Sequence, residues 1–328
     1  MPNVISFFAG GGGSSTGYKR AGCKVLLANE FVPIAADTYS ANYPDTIMLR
    51  DDIRDLTPEI ILEKTGLKKY ELDILDGSPP CCAFSTCGAR DKNWGDKVKK
   101  YSDKSQSNIE DLFFDFIRMA KGIMPKVIIA ENVTGLVKGS AIGYFNNIMR
   151  EFKHIGYKPH AKILNAAHFE TPQARERVIF VCFRDDIKEP SEIYARPLKT
   201  QISAEQALKD IKLTNDELEY TNISKYAIYK QLVALKEGGI DFNLVKINRK
   251  KPSHTITATI GIRGAKQVCH WDNRALCVRE VKRLFALDDD YILLGTTQQQ
   301  LERMGRMVAP NVYKHLVSHL IAQGVFND

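Results

Sequence analysis

Short apolar runs alternate with helical patterns over the first half of the chain, and each run ends in glycine, proline or polar residues. Continuous apolar runs of this length predict buried strands, because both faces of a parallel sheet are covered. We place strands at 4–8, 24–29, 46–49, 72–75, 127–130, 158–165 and 173–182 and helices at 14–21, 34–42, 57–65, 109–124 and 143–155. Strands alternating with helices predict a doubly wound α/β sheet, which binds ligands beyond the carboxyl ends of its strands.

After residue 185 the pattern changes to short apolar pieces among charged residues, without long buried strands. This change predicts a small inserted domain over 186–303 and a larger domain formed by 1–185 and 304–328. In this second part we predict a β-rich run at 255–260 and helices at 278–287 and 312–323.

Composition restricts the class of protein. The hydrophobic content of 44% suits a globular chain with a core, and no apolar run approaches the roughly 20 residues that span a bilayer. The start lacks a signal-peptide pattern, and seven cysteines without zinc-ligand spacing suit free thiols. We therefore expect a cytoplasmic protein with no membrane partner and no metal site. The net charge of +7 permits a polyanionic partner such as nucleic acid but does not require one.

A glycine-rich segment, 10–13, follows the first predicted strand and leads into a helix. Such a loop is typical of nucleotide-like cofactor sites, although a tight structural turn has the same composition. Glu30 lies 20 residues beyond Gly10, the interval at which such folds bind ribose hydroxyls, and a solvated carboxylate is the alternative. Phe31 can stack on an adenine ring or fill the core. Asp52, after a third strand, can accept a hydrogen bond from an adenine amino group.

The turn after the fourth predicted strand presents a candidate nucleophile. Its sequence is Asp76-Gly77-Ser78-Pro79-Pro80-Cys81, and the strand must stop there because proline donates no ladder hydrogen bond. Cys81 is thereby placed at a strand's carboxyl end, where a thiolate can attack a ligand. A buried structural thiol is the alternative. The Lys-rich stretch that follows, 87–107, is either a solvated loop or a flap that closes on a polyanion.

Two further strands carry charged residues at their ends. Glu131 follows the apolar run at 127–130, as a candidate acid or as a strand-end carboxylate bonded to a helix N-terminus. Arg175 and Arg177 alternate on one side of the strand at 173–182. They can hold a phosphate or a pyrimidine carbonyl oxygen, or form ordinary ion pairs.

These motifs together resemble those of the DNA (cytosine-5)-methyltransferase family, over nearly the whole chain and in the family's order. The matching segments are 8–13 (F-x-G-x-G-G), Glu30-Phe31, Asp52-Ile53, Pro80-Cys81, Glu131-Asn132-Val133, 173–177 (Q-x-R-x-R) and 279–284 (R-E-x-x-R-L). The resemblance implies a Rossmann-like domain that binds S-adenosylmethionine (AdoMet), a target-recognition domain, and a monomeric enzyme acting on double-stranded DNA. It implies cofactor contacts from Phe8, Ala9, Gly10, Gly11, Gly13, Glu30, Phe31, Asp52, Ile53, Ser78, Pro80, Leu112, Arg306 and Met307.

The resemblance also implies the chemistry. The Cys81 thiolate would add to C6 of a flipped-out cytosine, so that C5 becomes nucleophilic enough to attack the sulfonium methyl group. Glu131, protonated or sharing a proton, would offset the charge at N3. Arg177, supported by Arg175, would hold the base at O2. Loss of the C5 proton would then release Cys81.

The chain departs from the family pattern at two positions. Cys82 replaces the usual Gln after the catalytic cysteine, and Arg306 replaces the usual Asn of the last motif. A cation near a sulfonium is repulsive, so Arg306 either pairs with an acid such as Glu302 or a DNA phosphate, or accompanies a carboxylated AdoMet that would yield 5-carboxymethylcytosine. An RNA methyltransferase is disfavoured because no Cys-Phe-Thr follows Glu131. A non-catalytic DNA-binding relic is disfavoured because the catalytic residues are present.

Overall fold

The computed structural model describes residues 1–80, 99–100, 105–106, 111–242, 244–261 and 267–327. The chain forms two compact units. Unit 1 comprises 1–164, 176–195 and 313–328, and unit 2 comprises 165–175 and 196–312. These bounds differ from the predicted domain bounds at three segments. Residues 165–175, which include the Q-x-R segment, and 304–312 group with unit 2, whereas 186–195 groups with unit 1. The assignment of catalysis and target recognition to separate domains stays a prediction.

The elements are numbered in chain order. The strands are β1 (Asn3–Phe7), β2 (Lys24–Asn29), β3 (Ile47–Leu49), β4 (Ile74–Gly77), β5 (Lys99–Lys100), β6 (Ser105–Gln106), β7 (Val127–Val133), β8 (Tyr157–Asn165), β9 (Gln173–Ala174), β10 (Glu176–Arg184), β11 (Ile240–Asp241), β12 (Leu244–Lys246), β13 (Ser253–His254) and β14 (Gln267–Cys269). The helices are α1 (Gly13–Arg20), α2 (Pro33–Asn42), α3 (Pro58–Thr65), α4 (Leu112–Ile123), α5 (Ile142–His154), α6 (Ala204–Leu208), α7 (Asn215–Thr221), α8 (Ile228–Ala234), α9 (Val278–Leu284), α10 (Thr297–Arg306) and α11 (Pro310–Ala322).

Unit 1 is built on a mixed sheet whose described strands run in the order β3-β2-β1-β4-β7-β10-β8. Strands β3, β2, β1, β4 and β7 pair in parallel, and β10 is antiparallel to β7. The predicted α/β doubly wound class is confirmed. The chain progresses from β1 outward to β3 and then returns to place β4 on the other side of β1. The topological switch point therefore lies between β1 and β4, where such folds bind ligands.

Apolar side chains of the helices close the faces of this sheet. In α4 the helical spacing places Leu112, Phe113 and Phe116 in the core of unit 1. Gly77, at the end of β4, is required there because a Cβ would lie 2.5 Å from the Phe116 ring. The core thus fixes the end of the strand that carries the Pro-Cys turn. Among the described residues, no helix is long and apolar enough to cross a membrane.

Unit 2 consists of short helices and short strands around a small core that includes Ile223, Leu232 and Leu244. Strand β12 pairs with β11 in a hairpin and in parallel with β14. Helix α10 begins with a reciprocal capping box between Thr296 and Gln299. The sequence pattern predicts no helix over α10, so this helix is a finding of the structure.

The predicted β-rich run at 255–260 is wrong, since the strand there ends at His254. The backbone groups that a strand would pair are used by side chains instead. Ile256 donates its N–H to the Gln173 side-chain oxygen, and its carbonyl oxygen accepts from Arg175. The helix predicted at 278–287 begins as expected but ends at Leu284.

Candidate active site

The loop after β1 is held in left-handed backbone conformations. Phe8 has φ 55°, Gly10 φ 56° and Gly12 φ 97°. Glycine adopts such angles freely, whereas Phe8 is strained there, and strain of this kind concentrates at ligand-binding loops. Ala9 is buried and donates its N–H to the Asn29 carbonyl oxygen at 3.0 Å, which ties the loop to the end of β2. Gly13 begins α1, so the loop leads directly into a helix N-terminus, as predicted.

Glu30 is buried at the end of β2, and its carboxylate is fixed by backbone donors. Gly10 N–H donates to Oε2 and Val32 N–H to Oε1, each at 2.7 Å. Charge-assisted bonds of this length set the orientation of the carboxylate without a ligand. The predicted ribose-binding acid thus lies directly beside the glycine-rich loop. Phe31 follows it and is half-buried.

Asp52 caps a short 3₁₀ turn after β3 and forms a bidentate ion pair with Arg54. The Asp52 Oδ2–Arg54 Nη2 distance is 2.6 Å and the Oδ1–Nε distance is 2.9 Å. Ile53 is buried, and its carbonyl oxygen accepts from Arg118 at 2.9 Å. An adenine amino group would therefore share the Asp52 carboxylate with Arg54.

The turn after β4 is bonded to elements on either side of it. Ser78 Oγ donates to the Phe8 carbonyl oxygen at 3.0 Å, and the Asn132 side-chain amide donates to the Pro79 carbonyl oxygen at 3.2 Å. The glycine-rich loop, the Pro-Pro segment and the Glu-Asn-Val segment are thus connected directly. Pro80 is half-buried at the last described position before Cys81. Cys81, Cys82 and most of the predicted flap lie outside the described residues.

Glu131 and Arg177 form a salt bridge, with Glu131 Oε1 2.8 Å from Arg177 Nε. Glu131 is buried near the end of β7, and the β7–β10 register places Arg177 opposite Val133. The two residues predicted to act on the base therefore lie side by side. Each holds the other in place at the carboxyl edge of the sheet.

A buried polar cluster beside the loop was not assigned a role from sequence. Asp76 Oδ2 accepts from Ser6 Oγ at 2.6 Å and from Ser14 Oγ at 2.7 Å. The Tyr18 and Tyr313 hydroxyls lie near this carboxyl, but neither hydroxyl nor Asp76 Oδ1 has a hydrogen-bond partner among the described residues. Burial raises the pKa of Asp76 to about 6, against the opposing effect of these hydroxyl groups. The sequence signal for Asp76 is an acidic residue at the end of an apolar run. Its burial and its serine donors on two other elements are seen only in the structure.

The predicted site residues of unit 2 make their described contacts within that unit. Arg175 is buried and donates to the carbonyl oxygens of Ile256 at 3.0 Å and Gly305 at 3.2 Å. This gives it a structural role, and its support of the base stays a prediction. Arg306 pairs with Glu302, with Nη2 2.7 Å from Oε1. The sequence allows this pairing of Arg306 with Glu302 as one of its alternatives.

Other predicted cofactor residues are placed by packing. Leu112 is completely buried in the unit 1 core, and Met307 is buried in unit 2. Gly11 is also buried. Contact of these residues with a cofactor stays a prediction. The described cysteines are Cys23, Cys182, Cys269 and Cys277, all free and buried. Burial raises the pKa of Cys23 to about 11 and of Cys269 to about 12, so neither is a reactive thiol at neutral pH.

Comparison with known proteins identifies the family of the chain. Residues 2–322 match the family model described as C-5 cytosine-specific DNA methylase. The chain belongs to this family, whose members use AdoMet to methylate cytosine in DNA.

Relatives and solved structures extend the comparison. Type II methyltransferase M1.HphI of Haemophilus parahaemolyticus is 28% identical over 98% of this chain and 86% of the relative. M.DdeI of Desulfomicrobium norvegicum is 35% identical over 64% of this chain and 48% of the relative. The fold is similar to that of Spodoptera frugiperda DNMT2, with TM-score 0.70 and 18% identity over 98% of this chain and 99% of that one. Schizosaccharomyces pombe Dnmt2 gives TM-score 0.69 and 17% identity over 99% of each chain.

Proposed function

We propose that this protein transfers the methyl group of AdoMet to C5 of a flipped-out cytosine in a specific duplex DNA sequence, through a covalent bond between Cys81 and C6. Cys81 Sγ adds to C6, and the electron pair of the C5=C6 bond takes the methyl group from the sulfonium. Loss of the C5 proton then restores the double bond as the Cys81–C6 bond breaks. Atoms and charge balance with S-adenosylhomocysteine and a proton as the other products.

The observation that carries the proposal is the Glu131–Arg177 pair beside the Pro-Cys turn. The Asn132 bond to Pro79 ties the strand of Glu131 to the turn that precedes Cys81. In this proposal Glu131 interacts with N3 and Arg177 with O2 of one pyrimidine ring, and the contact between their side chains supports a shared site of action. An acid–cation pair beside the turn that precedes the proposed nucleophile suits addition to an activated ring.

For the cofactor, Glu30 suits ribose hydroxyls, because its carboxylate is oriented by Gly10 and Val32 beside the glycine-rich loop. We propose ordinary AdoMet as the donor rather than a carboxylated form. The Glu302 carboxylate already neutralises the Arg306 guanidinium, so that cation needs no carboxylate on the transferred group.

The biological setting follows from the relatives. Because several are named Type II methyltransferases, we propose that the chain is the modification enzyme of a restriction–modification system and works as a cytoplasmic monomer. Unit 2 is the region proposed to read the target. Its small size favours a short recognition sequence.

A cysteine substitution tests the mechanism. Wild-type protein incubated with duplex DNA and AdoMet should yield 5-methylcytosine by nucleoside mass spectrometry, at sites that bisulfite sequencing defines. Cys81→Ser should abolish turnover and the covalent complex with 5-fluorocytosine DNA while retaining DNA affinity. Cys277→Ser, which alters a buried thiol, is the control and should keep both activities. Turnover by Cys81→Ser, or 5-carboxymethylcytosine as product, would contradict the proposal.

A further inference from the structure

The β11–β12 hairpin of unit 2 carries an exposed aromatic residue at its tip. Strand pairing joins Asp241 to Leu244, which leaves two chain positions between the strands. Phe242 takes the first of these and is 88% exposed, more than any other large apolar side chain among the described residues. Ile240, two residues before it, is 62% exposed. Together the two side chains form a small apolar projection that is accessible to a partner.

The backbone at Phe242 is also unfavourable. Its φ of 37° lies in the left-handed region, where hairpin connections normally use Gly, Asn or Asp. A bulky residue at positive φ is an outlier that persists where the surroundings or a function require it. The described contacts supply no packing for this exposed ring. Phe242 therefore combines two local costs to stability at one position.

The base of the hairpin is rigid, in contrast to its tip. Leu244 is buried in the unit 2 core, and buried Lys246 donates its Nζ to the carbonyl oxygens of Leu232 and Leu235 at the end of α8. Arg249 binds the Glu237 carboxylate through its backbone N–H at 2.7 Å and its Nε at 3.1 Å. The exposed ring is thus presented on a braced support, which suits a contact of defined position.

The surrounding segment is basic. Residues 222–252 contain seven Lys or Arg and two acidic residues, and one of these acids, Glu237, is already paired with Arg249. The exposed cations of this segment are Lys225, Lys230, Lys236, Lys250 and Lys251. A basic surface with an apolar projection matches duplex DNA, whose phosphates attract the lysines and whose base steps accept an apolar wedge.

We propose that Phe242 is a DNA-contacting residue of this enzyme, an aromatic wedge that inserts at a base step of the bound duplex. The inference rests on the proposed function and adds to it a residue outside the motifs that contributes to DNA affinity. Stacking of an aromatic ring on a base accounts for about 10-fold in affinity or more. The lysines set the salt dependence, since each phosphate contact releases counterions and the ring releases none.

The test compares Phe242→Asn with wild type on the duplex site defined by bisulfite sequencing. Asparagine tolerates positive φ, so the variant should unfold at an equal or higher temperature while binding about 10-fold more weakly with an unchanged slope of log affinity against log salt. Phe242→Trp should retain affinity. Lys250→Ala should weaken binding and reduce the slope. Leu218→Asn, which removes an exposed apolar residue among the acidic residues of α7, is the matched control and should bind as wild type does.

Contrary outcomes separate the two proposals. If wild type is active and Phe242→Asn equals it in DNA affinity and turnover, the proposal for Phe242 alone is overturned. A lower unfolding temperature for both Phe242→Asn and Phe242→Gly would show that the ring stabilises the fold, which also overturns it. Sedimentation showing that wild type self-associates and Phe242→Asn does not, at equal DNA affinity, would assign the tip to a second copy. A wild type that neither binds nor methylates duplex DNA overturns both proposals.

Discussion

The two units use their polar and apolar side chains in opposite ways. In unit 1 the carboxylates of Glu30, Asp76 and Glu131 are buried and bonded to neighbouring elements before any ligand binds. In unit 2 the β11–β12 hairpin exposes an aromatic ring, and the segment around the hairpin exposes lysines. Reaction chemistry needs groups held at fixed distances, since reorganising them during the reaction raises the barrier. Recognition of a polyanion needs surface that is available to the partner.

Among the variants that test this comparison, we expect the largest loss of turnover from a substitution at Glu131. Glu131→Gln keeps the shape of the side chain but removes the carboxyl group that pairs with Arg177 and that the proposal has interacting with N3. We expect turnover to fall at least about 100-fold with DNA affinity within about threefold, measured by methyl transfer and by binding at the same salt concentration. Glu176→Gln, beside Arg177 but exposed, is the control. A loss of less than about threefold for Glu131→Gln would remove the pair from the chemistry.

A second test concerns the buried cluster at Asp76 and uses pH. A carboxyl whose pKa rises to about 6 on folding binds protons more tightly in the folded state than in the unfolded chain, where the value is near 3.8. Its contribution is therefore most favourable below about pH 4 and is lost as the pH rises to about 6. Two pKa units correspond to about 3 kcal/mol, which is the largest loss we expect relative to Asp76→Asn.

Urea unfolding of wild type and Asp76→Asn between pH 4.5 and 7.5 measures this difference. The free energy of unfolding of wild type should fall relative to the variant up to about pH 6 and then run parallel to it. Asp55→Asn, which removes an exposed carboxyl of unit 1, controls for net charge. Parallel curves over the whole range would show that Asp76 is not held at a raised pKa.

The smallest expected effect is at Arg306. Its ion pair with Glu302 is partly exposed, and pairs of this kind contribute at most about 1 kcal/mol. Arg306→Asn should change turnover by less than about threefold and leave 5-methylcytosine as the product. A loss above about 10-fold, or a product of another mass, would give Arg306 a direct part in handling the transferred group. Glu302→Gln is the companion variant.

Much of unit 1 could be predicted from sequence because its signals are local. Strand β2 has the predicted bounds, since an apolar run flanked by turn residues is readable without tertiary context. Glu30 was placed by its spacing from the glycine-rich loop, and its bond to Gly10 N–H agrees with that placement. Prediction was poorer in unit 2, where the run at 255–260 has strand composition but its backbone bonds to Gln173 and Arg175 side chains.

The alternation of strands and helices, the strand-end positions of the motifs and the family can all be inferred from the printed sequence, because hydrophobic period and turn chemistry act over a few residues. Which side chains meet follows only from the folded chain. Register brought Arg177 to Glu131, 46 positions apart in the chain, and folding placed Ser6 and Ser14 on Asp76. It also decided that Arg175 bonds to backbone carbonyl oxygens and that Phe242 stands exposed at positive φ. Such contacts depend on the packing of segments far apart in sequence, which no local pattern encodes.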